Sequence, residues 1–144
     1  MSKIEKVVIA GKTHTTMSAN TKGTINLELS TVGNARTNHL FSAIQPHPTA
    51  EQFFAGAWSS CYIIALGVAA QEVGVTLPPD LSVDIEVDLG TTGNDWYIQA
   101  RFNVVMKGVE QEVAEAIAHK ADQICPYSKA VRGNIDVAMN VATA

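Results

Sequence analysis

Apolar and polar residues fall into two distinct periods along this chain. Residues 4 to 10 and 24 to 29 read as strands; in the second, Ile25, Leu27 and Leu29 alternate with Asn26 and Glu28, the two-residue period of a sheet with one buried face. The same period returns after Pro78 and Pro79. There Val83, Ile85, Val87 and Leu89 interleave with Asp84, Glu86 and Asp88, and after a turn from Gly90 to Asp95 a second run follows, Trp96, Ile98, Ala100, Phe102 and Val104. Together these predict an antiparallel hairpin. Ile135, Val137, Met139 and Val141 predict a closing strand.

Helical patterning occupies the gaps. Thr49 can cap a helix, Gln52 three residues on completes a capping box, and the helix so begun runs to about Gly74. Between Glu51 and Glu72 it holds no charge, and Phe53, Phe54, Trp58, Tyr62, Ile63, Ile64, Leu66 and Val68 are spread around it. A helix apolar on every side is expected to be buried on every side. A membrane span is the rival reading, but Gln52, Ser59, Ser60 and Gln71 and the acidic flanks weigh against it. A second helix, about Glu110 to Ile124, has Val113, Ile117, Ala121 and Ile124 on one stripe. The order β, long helix, ββ, helix, β predicts an α+β domain. One sheet leaves part of residues 53 to 70 uncovered, which a homodimer pairing its two long helices would remedy. The polar stretch from Ser30 to Pro48, with Gly33, Asn34 and Pro46, predicts a long loop of the kind that serves as a lid.

Composition narrows the classes. With 144 residues, 47% of them hydrophobic, residues 1–144 suit a single domain. The net charge of -4 and the lack of a basic run argue against nucleic acid as a partner. The start Met1-Ser2-Lys3-Ile4-Glu5-Lys6 lacks the apolar run of a secretory signal, so a cytoplasmic location is expected. Thiols are kept reduced there, which makes the two cysteines transient redox groups or packing residues. His14, His39, His47 and His119 lack metal-site spacing, so no metal is expected.

The chemistry-bearing residues each admit a plain reading as well. Phe54, Trp58, Cys61, Ala65 and Val68 share one stripe of the long helix, so Cys61 is either a nucleophile beside an apolar, substrate-binding surface or a small core residue. Cys125 follows the second helix, where the partial negative charge of a C-terminus disfavours a thiolate; this suits a resolving thiol, or simple packing. Glu51 lies in the first turn of its helix, where an anion is stabilised without any function, and its ten-residue offset puts it about 15 Å along the axis from Cys61.

The run Glu51-Gln52-Phe53-Phe54-Ala55-Gly56-Ala57-Trp58-Ser59-Ser60-Cys61 resembles the organic hydroperoxide resistance branch of the OsmC/Ohr family, where Glu-Gln-Leu-Phe-Ala-Ala-Gly precedes a Cys at the same spacing. The run from Cys125-Pro126-Tyr127-Ser128 to Asp136-Val137 is similar to that family's second signature almost residue for residue. The resemblance implies an intertwined homodimer, two antiparallel sheets wrapped around long central helices, with sites at the subunit interface. It also implies that Cys61 attacks the peroxide, becomes a sulfenic acid and condenses with Cys125, with Glu51 in the polar network. A dithiol such as a lipoylated protein would reopen the disulfide, and no cofactor is implied. The family supplies an Arg between its first two strands, whereas Gly11-Lys12-Thr13-His14-Thr15-Thr16-Met17-Ser18 contains none, so Arg36 is the first substitute cation, followed by Lys12 and His14. Two alternatives stand beside this reading: a hot-dog-fold acyl thioesterase using an acidic residue, and a non-catalytic lipid-binding module.

Overall fold

A computed structural model describes residues 3–17, 25–32 and 49–144. Strand β1 (Lys6–Met17) is followed by β2 (Ile25–Val32), helix α1 (Ala50–Glu72), β3 (Ser82–Thr92), β4 (Asp95–Val105), α2 (Gln111–Ile124), α3 (Pro126–Val131) and β5 (Val137–Ala142). The strands form one five-stranded sheet in the order β2-β1-β3-β4-β5, giving the expected α+β architecture. All neighbours are antiparallel except β4 and β5, which run parallel because α2 and α3 carry the chain back across the sheet.

The alternation of the strands decides which face each side chain takes. Val83, Ile85 and Val87 of β3, with Ala100, Phe102 and Val104 of β4, are buried toward the helices. Lys12, Glu86 and Arg101 take the opposite face, where Arg101 bonds Asp88 at 2.5 Å and Glu86 at 2.6 Å, and Lys12 pairs with Glu86 at 2.5 Å. Strand β1 extends well past the predicted residues 4 to 10, because its second half buries threonines rather than apolar residues. Thr13 exchanges bonds with the Ile85 backbone at 3.1 and 3.2 Å, and Thr15 shares a hydrogen bond of 2.8 Å with Ser59 of α1. Polar groups satisfied in this way can line a core without a large penalty.

Helix α1 starts where its chemistry predicts. Thr49 is the cap, accepting from the Gln52 backbone at 3.2 Å while its own N–H donates to the Gln52 side chain at 2.7 Å. Its length and composition alone would suit a membrane span. Its apolarity is accounted for instead by packing against β1, β3 and α2, which buries Ala55, Trp58, Tyr62, Ile63, Leu66 and Ala69. Burial on every side is not what the single chain achieves. Phe53 is 58% exposed, Ile64 57% and Val68 43%, and with Ala57 and Gly67, and the half-buried Ser60 and Cys61 between, they form one stripe at steps of three and four. The described residues of one chain supply a single sheet on one side of α1, so this stripe has no cover within it.

Two close approaches fix α1 on the sheet. Gly11 of β1 lies directly under the first turn of α1, and Gly56 of α1 meets the ends of Leu27 and Leu29 of β2.

Candidate active site

Cys61 sits in the middle of α1, at the border between its buried and exposed faces, whereas Cys125 is wholly buried. Cys125 belongs to two helices at once. Its N–H donates to Ala121 at 2.8 Å, closing α2, and its carbonyl accepts from Lys129 at 3.0 Å, opening α3. Cys125-Pro126-Tyr127-Ser128 is therefore the start of a short helix, in which Pro126 fills a first-turn position that needs no N–H donor.

These two elements bring the thiols together. The side chains of Cys61 and Cys125 are close neighbours, and the Tyr127 backbone faces Cys61. Burial raises the Cys61 pKa most, the adjacent Cys125 raises it further, and the Tyr127 backbone works against both. The surroundings of Cys61 thus favour the thiol, and an efficient nucleophile there needs a cation.

The neighbouring side chains hold the pair in place. The Trp58 Nε1–H donates to Ser128 Oγ at 2.9 Å, and the Tyr62 hydroxyl donates to the Ala118 carbonyl at 2.8 Å. Burial is the main reason the Tyr62 phenol stays protonated above its ordinary range; Asp122 and Cys125 add to the effect. Trp58 and Tyr62 both meet Phe102 edge-on, with ring centroids 4.8 and 4.9 Å apart. On the far side of α3, Arg132 binds the Asp122 carboxylate at 2.9 Å and its carbonyl at 2.8 Å.

Not every residue singled out from the sequence joins this cluster. Phe54 is half-buried and stacks edge-on against Trp58 at 5.8 Å, so it keeps surface to offer a ligand. Trp58 has none, and its contribution is packing and the bond to Ser128 rather than substrate contact. Glu51 is buried beside Gly11, and because α1 is continuous from Ala50 to Glu72 it stays about 15 Å along the axis from Cys61 of its own chain. Arg36 and the Ser30 to Pro48 lid fall largely outside the described residues. Lys12 and His14 project from the sheet's outer face and pair with Glu86 and Asp84 at 2.5 Å each, away from the thiols. Among the described residues no cluster of metal-ligating side chains occurs.

Tyr62, Tyr127 and Ser128 were not singled out from the sequence as site residues. Tyr62 carried a signal, since it stands next to Cys61 and one turn from Trp58. An apolar cavity of about 440 Å³ also opens beside Ile64, lined by Met17, Ile63, Leu77 and Leu81.

Comparisons with known proteins point to one family. Residues 43–140 match the family model described as OsmC-like protein. The organic hydroperoxide resistance protein OhrA of Bacillus subtilis is 30% identical over 118 residues, covering 82% of this chain and 81% of its own. The organic hydroperoxide resistance protein of Xanthomonas axonopodis pv. citri (strain 306) is 34% identical over 92 residues, 64% of this chain, and the match spans only 65% of that relative's length. Among solved structures, the organic hydroperoxide resistance protein OhrB of Bacillus subtilis superposes with a TM-score of 0.62 at 31% identity, covering 67% of this chain and 72% of that one.

Proposed function

The chain belongs to the OsmC-like family, and from that premise we propose that it is a thiol peroxidase that reduces organic hydroperoxides to alcohols. The Cys61 thiolate attacks the terminal peroxide oxygen, the O–O bond breaks, and the alkoxide leaves with a proton as the alcohol. Cys61 is then a sulfenic acid. The Cys125 thiol attacks it, a sulfur–sulfur bond forms, and water leaves. A dithiol, such as a lipoylated protein, reduces the disulfide and becomes a disulfide itself. The observation carrying this reading is that the two thiols, 64 residues apart in sequence, are neighbours in the fold. Neither the thioesterase nor the lipid-binding alternative has a use for that proximity.

The remaining parts of the site come from a second copy. Pairing the exposed α1 stripes of two copies about a two-fold axis makes the site a shared one, and Glu51, about 15 Å along the axis from Cys61 of its own chain, joins it only from the other copy. The same pairing covers Phe53, Ile64 and Val68. Arg36 is the cation we assign to the thiolate; Lys12, Arg101, Lys107, Lys120 and Arg132 are each ion-paired elsewhere. Phe54 and the cavity beside Ile64 would favour a hydrocarbon-bearing peroxide over hydrogen peroxide. The reading also keeps the protein in the cytoplasm, where dithiol reductants work.

The test is mass spectrometry of the reduced protein after one equivalent of an organic hydroperoxide. A disulfide joining Cys61 to Cys125 is the expected product. Thiols left unmodified would end the peroxidase reading.

A further inference from the structure

Two side-chain links join α1 to α3, and they form a ladder. Trp58 and Cys61 are three residues apart on α1, and Cys125 and Ser128 are three apart at the start of α3. The indole-to-hydroxyl bond joins 58 to 128, and the thiol contact joins 61 to 125. Because 58 precedes 61 while 128 follows 125, the two segments run antiparallel and the links are successive rungs. The first rung is fully enclosed: Trp58 is 0% exposed and Ser128 2%. The indole ring is further clamped edge-on between Phe54 and Phe102.

From this arrangement we infer that Ser128 is a positioning residue for disulfide closure, acting through its hydrogen bond to Trp58 to hold Cys125 against Cys61. Helix α3 needs such a tie. It has six residues, and its first turn has no side-chain cap. A helix this short has little stability of its own, so its placement depends on what it is bound to. Arg132 fixes its far end to α2 through Asp122, while Ser128 fixes the near end to α1. Without the Ser128 hydroxyl the near end can drift. Closure, which requires the two sulfurs to come within bonding distance, then becomes slower and less favourable. The inference rests on the proposal that Cys61 and Cys125 cycle through a disulfide.

The experiment equilibrates the full-length protein with glutathione and glutathione disulfide. One glutathione disulfide is consumed and two glutathiones appear for each Cys61–Cys125 bond formed. In Ser128→Ala the constant for this exchange should fall roughly five- to tenfold, the size of one net buried hydrogen bond. Ser128→Thr, which keeps the hydroxyl, should restore it. The double variant Trp58→Phe with Ser128→Ala should be no worse than Ser128→Ala alone, since each removes the same rung, and it also folds without a stranded buried indole donor. After one equivalent of an organic hydroperoxide, Ser128→Ala should accumulate trappable sulfenic acid at Cys61 where the parent forms the disulfide. An exchange constant unchanged in both variants, with only the melting temperature lowered, would overturn the inference. If instead the constant falls as expected but hydroperoxide leaves Cys61 untouched even in the parent, the positioning role stands and the peroxidase proposal fails.

Discussion

Replacing Gly11 with alanine should lift the start of α1 off the sheet. A Cβ built on Gly11 would lie 2.5 Å from the Gln52 backbone nitrogen, 2.7 Å from the Glu51 carbonyl carbon and 2.9 Å from the Glu51 Cβ. Non-bonded heavy atoms prefer about 3.5–4.0 Å, so the overlap is roughly 1 Å. Neither side can yield easily. Strand β1 is held on both edges, Gly11 facing Thr31 of β2 and Val87 of β3, and the first turn of α1 is tied by the capping box. Overpacking of this kind costs about 1–3 kcal/mol, and obstruction by backbone places it at the upper end. Alanine recovers roughly 0.5–1 kcal/mol of the entropy that glycine loses in a strand. The net loss should be about 2 kcal/mol, or a fall of roughly 4–8 °C in melting temperature. Urea unfolding at fixed protein concentration measures it, with the midpoint lowered and the slope unchanged. A variant as stable as the parent would show that Gly11 and the first turn of α1 are not in contact, and with that the burial of Glu51 would lose its cause.

Charge placed on the exposed stripe, as in Ile64→Glu or Val68→Lys, should convert a dimer into monomers by light scattering; a monomeric parent would refute the pairing of α1 helices. Cys125→Ala should lower the Cys61 pKa, because burial remains but the raising effects of Cys125 are gone, so alkylation of Cys61 at neutral pH should be faster. A pH profile of alkylation displaced upward would contradict this. Arg101→Gln should cost roughly 2–3 kcal/mol by leaving the buried Asp88 carboxylate short of its partner. Burial opposes ionisation of Asp88 and Glu86, yet hydrogen bonds, from Arg101 and Gln99 to the first and from Lys12 and Arg101 to the second, hold both below the ordinary carboxylate range. Groups with a folded pKa below the unfolded value stabilise the fold above about pH 4 and lose that stabilisation as pH falls through the folded values. The acid limb of the parent's stability curve should accordingly flatten in Arg101→Gln, and an unchanged limb would count against the network.

Signals carried by neighbouring residues were legible in the sequence, and those depending on distant partners were not. The capping box located α1 to within two residues, since both of its hydrogen bonds lie inside one turn. The β3–β4 hairpin was legible by its alternation, but its turn was read too wide: Gly90 and Thr91 look like turn residues and instead pair with Tyr97 and Trp96, leaving the reversal to Gly93, whose φ of 58° suits glycine. Helix α3 was hidden because six residues do not reveal a period and Pro126 reads equally well as a stop or a start. The inward-facing Thr13 and Thr15 break the apolar alternation, and only their partners on β3 and α1 explain them. The site divides in the same way. Each cysteine was visible in its own motif, while their contact depends on α2 crossing behind α1, which no local pattern encodes.

The proposed division of roles between the two thiols fits where each lies on its helix. Going round α1 from Tyr62 on the core side to Ile64 on the open side, Cys61 falls between them, with Phe54 and Ser60 similarly half-covered. At the border of the stripe rather than in the core, Cys61 is open to a peroxide without any displacement of the core. Cys125 has no exposed surface, enclosed by α1, α2 and α3. An oxidant from solution cannot reach it first, but a sulfenic acid formed on Cys61 is already within reach. Burial thus imposes the order of events that the proposed chemistry needs: the first oxidation at the border residue, the second bond with the enclosed one. It also limits overoxidation, because a sulfenic acid whose partner is in contact before the reaction begins has little time to meet a second peroxide.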